Sequence, residues 1–242
     1  MEHSAATVEK AIDVLFHLHE RPEPWGVSDL GRALDLPKSS VHRLLVSLRR
    51  RGLVESDERG RYRPGIALLA LGLGVLDREP LVAAARPVLE SEAAELGETF
   101  FVVAARAGKL TVLDKVEGTG FLRAAPRVGS SVPVHVTAVG KLYLAHAPTA
   151  IAAADLQVEA ARVVSERELS AVRRRGYAEN LGEWIEGLAV LAAPVFAHGK
   201  LVGAITTALP TTRLAQLDKK TVAQRVVLAA GRVAARMEGK ET

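Results

Sequence analysis

The chain has 242 residues, 48% apolar and 25% charged, with a net charge of +4 and no cysteine. That length allows one large domain or two modest ones with a sizeable core, and the missing cysteines exclude disulfides, thiol catalysis and cysteine-rich zinc sites. Met1 to Lys10 is too polar for a signal peptide and the longest apolar stretch, Ile66 to Leu76, is too short to span a bilayer, so a cytoplasmic location without a membrane partner is expected.

Val8, Ala11, Ile12, Leu15 and Leu18 recur at helical spacing and predict a first amphipathic helix, Val8 to His19. Arg21-Pro-Glu-Pro-Trp25 ends it, because two prolines cannot continue a helix. Ser28 is the expected N-cap of a short second helix reaching Leu34. Asp35-Leu36 then forms a corner, where aspartate tolerates a left-handed backbone. Pro37 suits the first position of a third helix, which runs to about Arg51 and stops at Gly52. A hairpin follows: Leu53 to Ser56, a turn at Asp57 to Gly60, and a return over Arg61 to Arg63. Pro64-Gly65 punctuates, and Ile66 to Leu76 reads as an apolar connecting helix. The expected division is a first domain at 1–65, a linker helix at 66–79 and a second domain at 80–242.

From Leu81 the pattern becomes α+β. A helix near Val82 to Leu96 ends at Gly97. Strands follow at Thr99 to Ala105, Leu110 to Val116 and Gly120 to Ala124. Helices are predicted at Ala138 to His146 and Glu166 to Arg175, the second opened by a capping box, Ser165 to Glu168, and closed by Gly176. Two long apolar strands, Leu188 to Phe196 and Leu201 to Leu209, flank a hairpin turn at His198-Gly199-Lys200. A last helix runs from about Lys219 to Glu238.

Eight basic residues stand against three acidic ones between Lys38 and Arg63. On charge alone this is either a polyanion-binding surface or a solvated helix end. Helical geometry is more discriminating. In the third helix Val41, Leu44, Leu45 and Leu48 fall on one face, while Ser39, Arg43, Ser47 and Arg50 fall on the other. Short hydroxyls followed by a forked cation suit a major-groove helix: the serines reach phosphates or base edges, and Arg43 can chelate guanine O6 and N7. Lys38, Ser40 and His42 flank that face. Arg59, Arg61 and Arg63 on the hairpin can meet the neighbouring phosphates, where cations add affinity without reading sequence. Such a basic helical unit also occurs in protein-interaction modules; the order helix, short helix, corner, basic helix, basic hairpin favours DNA.

Leu36-Pro-Lys-Ser-Ser-Val-His-Arg-Leu-Leu45, Arg51-Gly-Leu53 and Gly60-Arg-Tyr-Arg-Pro-Gly65 together resemble the helix-turn-helix and wing of the isocitrate lyase regulator (IclR) family, with Asp35 for the usual glycine and Ser40 for the usual threonine. Val132 to Lys141, Arg175 to Ala178 with Glu183, Gly187 and Ala192 to Val195, and the hairpin Gly199 to Pro210 are similar to the family's second half. The resemblance implies an α+β protein: a winged helix-turn-helix joined by a helix to a GAF/profilin-like domain with an antiparallel sheet. It implies a dimer or tetramer on double-stranded DNA, at an inverted-repeat operator with half-sites a helical turn (~34 Å) or a multiple apart. It further implies a small organic effector, a carboxylate or aromatic acid, and no cofactor or metal. The corresponding effector positions are Phe121, Leu122, Ala124, Ala138, Val139, Asn180, Val190, Thr206 and Ala208. Of these, Ala138 and Val139 open a helix whose N–H groups favour an anion, and each of the nine is equally compatible with ordinary core packing. Asn180, Val190 and Ala208 replace more polar residues of the family pattern, which points to a larger or more apolar ligand.

Two rival readings follow from the same residues. An enzyme would draw on His135, His146 or His198 as base and Ser130 or Thr137 as nucleophile, but no catalytic or metal-binding spacing links them. A ligand-free interaction module would have a filled second core.

Overall fold

A computed structural model describes residues 2–76, 78–120, 126–151 and 164–240, without the side chains of residues 2–5. The chain divides into two compact units, Met1–Arg78 and Glu79–Thr242.

The first unit holds α1 (Glu2–His19), α2 (Val27–Ala33), α3 (Lys38–Arg50), a hairpin of β1 (Val54–Ser56) and β2 (Tyr62–Pro64), and α4 (Ile66–Leu76). Its core is Val14, Leu18, Leu30, Val41, Leu45, Leu48, Val54 and Tyr62. The stripe expected on α1 is split: Ala11, Val14, Leu15 and Leu18 face this core, whereas Val8, Ile12 and Phe16 face water. Ser28 is not the cap of α2; Gly26 holds that position and Ser28 lies inside the helix. The corner at Asp35 has φ +51°, the left-handed backbone that aspartate tolerates better than most residues. Trp25 and Tyr62 exchange backbone hydrogen bonds of 2.7 Å in both directions, which ties the segment before α2 to the hairpin.

The second unit is a five-stranded antiparallel sheet of β3 (Thr99–Arg106), β4 (Lys109–Val116), β5 (Ala178–Leu181), β6 (Leu188–Ala197) and β7 (Lys200–Pro210), in the order β4-β3-β7-β6-β5. The turns Ala107-Gly108 and His198-Gly199 have positive φ at both residues, the two-residue geometry that follows strand twist. Alternation along β3 sends Phe100, Val102 and Ala104 to one face and Phe101 and Val103 to the other. The first face packs under α5 (Pro80–Leu96) and α9 (Lys219–Met237), and the second under α6 (Ala138–His146), backed by α7 (Glu166–Arg175). Among the described residues three elements have no counterpart in the sequence reading: β5 at the sheet edge, α8 (Thr211–Leu217) and a single 3-10 turn at Pro148–Ala150. The capping box at Ser165 is half formed. Ser165 Oγ accepts from Glu168 N at 3.2 Å, but the Glu168 carboxylate turns to Lys141 instead of reaching back. The strand expected at Gly120 to Ala124 lies almost wholly outside the described residues.

The seat of α6 is set by backbone contact. A Cβ on Gly140 would stand 1.7 Å from the carbonyl oxygen of Val134, far inside van der Waals contact. Gly140→Ala is therefore expected to destabilise the second unit by about 3 kcal/mol or more, read as a lower denaturant midpoint; an unchanged midpoint would mean that α6 can shift freely.

Candidate functional site

On α3 the inward side chains Val41, Leu45 and Leu48 are buried, and Lys38, Ser39, His42, Arg43, Ser47 and Arg50 are exposed, with Ser40 half-buried. The helix thus presents a polar, basic face over an apolar one. Ser47 Oγ donates to the Arg43 carbonyl at 3.0 Å. Its proton is committed within the helix, so Ser47 offers a phosphate less than the sequence reading assumed. Arg49 Nη1 donates to Ser56 Oγ at 3.1 Å and holds the hairpin against α3.

The acids inside this basic segment are largely spent on its own shape. Asp57 Oδ1 accepts from Arg59 N at 2.9 Å and Arg61 N at 2.8 Å, fixing the tip of the hairpin. Glu55 takes the Arg63 guanidinium at 3.1 Å and the Ile66 N–H at 3.2 Å. Arg63 is accordingly half compensated, while Arg59 and Arg61 have no carboxylate partner among the described residues.

In the second unit a cavity of about 270 Å³ opens on the α6 side of the sheet, with room for roughly ten non-hydrogen atoms at liquid-water density. Strand register explains how distant residues meet there. Asn180 pairs with Val190 and Val190 with Ala208, one row across β5, β6 and β7, while Phe101 pairs with Thr206 in the next row. Six of the nine expected positions line the cavity: Ala138, Val139, Asn180, Val190, Thr206 and Ala208. Phe121, Leu122 and Ala124 lie outside the described residues. Seven further wall residues escaped the sequence reading: Phe101, Pro126, Val132, Thr137, Trp184, Ile185 and Leu188. Phe101 was legible from the alternation of β3, and Thr137 from its place just before a helix.

Few polar atoms of the wall remain free. Thr137 caps α6: its Oγ1 accepts from Gly140 N at 3.0 Å and donates to the Pro133 carbonyl at 2.6 Å. The cap uses the Gly140 N–H and leaves those of Ala138 and Val139 outside it. Asn180 is a brace: its amide nitrogen donates to the Val136 carbonyl and its oxygen accepts from Glu183 N at 3.1 Å. Thr206 is wholly buried, and its hydroxyl has no hydrogen-bond partner among the described residues. Beside the cavity, Lys141 is only 2% exposed. Its ammonium meets Glu183 at 2.7 Å, Glu168 at 2.7 Å and the Glu179 carbonyl at 3.1 Å.

The enzyme residues do not assemble. Thr137 is consumed by the cap, Ser130 Oγ donates to the Arg127 carbonyl at 2.6 Å, and His198 sits in a turn. His146 packs edge-on against Phe196 at 5.3 Å, and burial lowers its pKa from the usual histidine value, helped by the nearby Arg173 charge. Among the described residues no cluster of His, Asp and Glu is arranged to hold a metal, and no helix is long and apolar enough to cross a membrane.

Two family models match the chain. The IclR helix-turn-helix domain covers residues 7–58, and the bacterial transcriptional regulator IclR C-terminal model covers residues 73–235. Among curated proteins, the glycerol operon regulatory protein of Streptomyces griseus is 33% identical over 224 residues, 88% of each chain. The probable transcriptional regulator SauR of Cupriavidus necator is 30% identical over 224 residues, 88% of this chain and 89% of that one. Among solved structures, an IclR homolog from Microbacterium hydrocarbonoxydans, complexed with 4-hydroxybenzoate, superposes with a TM-score of 0.80 at 19% identity, covering 96% of this chain and 99% of the other.

An unpartnered buried hydroxyl costs stability that a methyl group would not. Thr206→Val is expected to raise the unfolding free energy of the ligand-free protein by about 1 kcal/mol. A loss of stability in a denaturant titration would mean that the hydroxyl is already satisfied.

Proposed function

We infer that this chain, which belongs to the IclR family of bacterial transcriptional regulators, presents α3 to the major groove of an inverted-repeat operator under control of a small organic acid held in the cavity beside α6. The family is one of DNA-binding regulators, and the curated relatives are named as regulators, not enzymes. A cytoplasmic location follows from a DNA target.

The observation that carries the DNA part is the two-sidedness of α3: Val41, Leu45 and Leu48 are buried while Ser39, Arg43 and Arg50 stand in water. Arg43 and Ser39 are assigned to base edges or phosphates, with Lys38, Ser40, His42 and Ser47 beside them. Arg59 and Arg61 are assigned to backbone phosphates, and Arg63 contributes less because Glu55 already holds it.

The apolar surface of the first unit supports a second copy of the chain as partner. α4 has no buried residue, and Ile66, Leu69, Leu71, Leu73 and Val75 are all at least half exposed, as are Val8 and Phe16 on α1. A helix apolar on all sides is stable in water only when something covers it. Two-fold symmetry of the operator would then match two-fold symmetry of the protein.

For the effector, the cavity offers one anion-seeking corner, the Ala138 and Val139 N–H groups at the start of α6, and one buried hydroxyl, Thr206. Val190, Ala208, Phe101 and Leu188 supply apolar wall. This favours a carboxylate with an apolar or aromatic body over a small hydrophilic acid. The Microbacterium homolog's 4-hydroxybenzoate is of that class.

Arg43→Ala is expected to cost about 1–3 kcal/mol of specific operator binding, and Arg61→Ala to weaken binding to every sequence and reduce the salt slope by about 1. Fluorescence anisotropy with operator and scrambled duplexes at several salt concentrations reads both; an Arg43→Ala protein with wild-type selectivity would remove α3 from the groove. Sedimentation of the double variant Leu71→Glu/Val75→Glu is expected to show a smaller species than the wild-type protein, and an unchanged mass would exclude α4 as the contact.

A further inference from the structure

The loop between β5 and β6, from Gly182 to Gly187, carries Trp184 and Ile185, which line the cavity yet remain 43% and 47% exposed. Both ends are glycines in the left-handed region, at φ +81° and +76°, so the loop's departure and return are set where glycine enters at least steric cost. Its backbone closes on itself: Gly182 N donates to the Leu188 carbonyl at 2.9 Å and Leu188 N to the Ile185 carbonyl at 3.1 Å. One residue before the tryptophan, Glu183 grips the buried Lys141 ammonium with both oxygens, at 2.8 and 2.7 Å. Its N–H is held by Asn180 Oδ1. Lys141 stands on α6, whose first turn forms another part of the same cavity wall.

We propose that this loop is the specificity-determining wall of the cavity: Trp184 provides a flat apolar platform for the body of the effector, and Lys141, acting through Glu183, is the positioning residue that holds the ring in place. The proposal rests on the reading that the cavity takes an organic acid, and it narrows that acid to one with a planar ring. The energetics point the same way. A half-exposed indole at a cavity mouth gains most from a partner that removes its open face from water. A short aliphatic acid anchored at the start of α6 leaves that face wet. Asn180 and Thr137 are occupied within the protein, so beyond the Thr206 hydroxyl and the N–H groups that open α6 the remaining discrimination falls to shape and to the indole. Holding the loop through Lys141 suits this role, because an ammonium only 2% exposed grips Glu183 with a charge-assisted contact while that carboxylate stays half exposed on the loop.

The chain contains two tryptophans, so Trp25→Phe leaves Trp184 as the single tryptophan, read apart from the tyrosines by excitation at the red edge of the absorption band. In that protein, Glu183→Gln is expected to raise the acrylamide quenching constant about twofold while the thermal midpoint stays within a few degrees. Equal quenching with and without Glu183→Gln would overturn the positioning role, whatever the cavity binds. In calorimetric titrations of otherwise wild-type protein, Trp184→Ala is expected to weaken benzoate about tenfold and pyruvate less than twofold, with Trp184→Phe restoring most of the benzoate affinity. Equal losses for the two acids, or none for benzoate, would overturn the platform. If neither acid binds the wild-type protein, the organic-acid reading of the cavity falls and the selectivity falls with it, while the quenching comparison still decides whether Glu183 holds the loop.

Discussion

Lys141 carries a charge that cannot be left unpaired inside a protein, and much of the second unit is arranged around that requirement. Its ammonium gathers a carboxylate from α7, a carboxylate from the β5–β6 loop and a carbonyl from β5. Three consecutive elements, remote in sequence from α6, are thereby brought to one point beside the cavity. The neighbouring Gly140 completes the seat, because only a residue without Cβ lets α6 approach the Val134 carbonyl so closely. The cation and the glycine are adjacent in the chain and do complementary work: one draws α6 in, the other permits the approach.

The same economy of charge governs the first unit. Its basic segment contains three acids, which by simple counting would dilute its field. Asp57 instead folds the tip of the hairpin by accepting two backbone N–H groups, and Glu55 braces the start of α4 while restraining Arg63. Among the described residues only Arg63 of the segment's cations has a carboxylate partner, so the rest, Arg59 and Arg61 on the hairpin and Lys38, Arg43 and Arg50 on α3 among them, remain able to meet a polyanion. A carboxylate bound by backbone donors keeps its charge, but its lone pairs are directed inward to the turn.

Much was legible in the sequence where a local rule acts alone. The faces of α3 followed from helical periodicity, the corner at Asp35 from the left-handed tolerance of aspartate, and the β6–β7 hairpin from apolar runs around His198-Gly199. Local rules failed where a tertiary partner outbid them. Glu168 was expected to complete a capping box, yet a buried ammonium is a stronger partner for a carboxylate than a backbone N–H at a helix end. Val8 and Ile12 fit an inward stripe on α1 but point to water, because periodicity identifies an apolar face without saying what covers it. Strand β5 is four residues of mixed polarity, too short to display a period.

Residues a few positions apart were enough to mark the polar face of α3 and the apolar character of the long strands. Only the tertiary structure decided which residues share the cavity, because strand register sets Asn180 beside Val190 and Val190 beside Ala208 across gaps of ten and eighteen positions. It also decided that Asn180 braces a loop and that Thr206 keeps an unspent hydroxyl. Whether a polar group is free to act is settled by the partners folding brings to it, and those are not written in its neighbours along the chain.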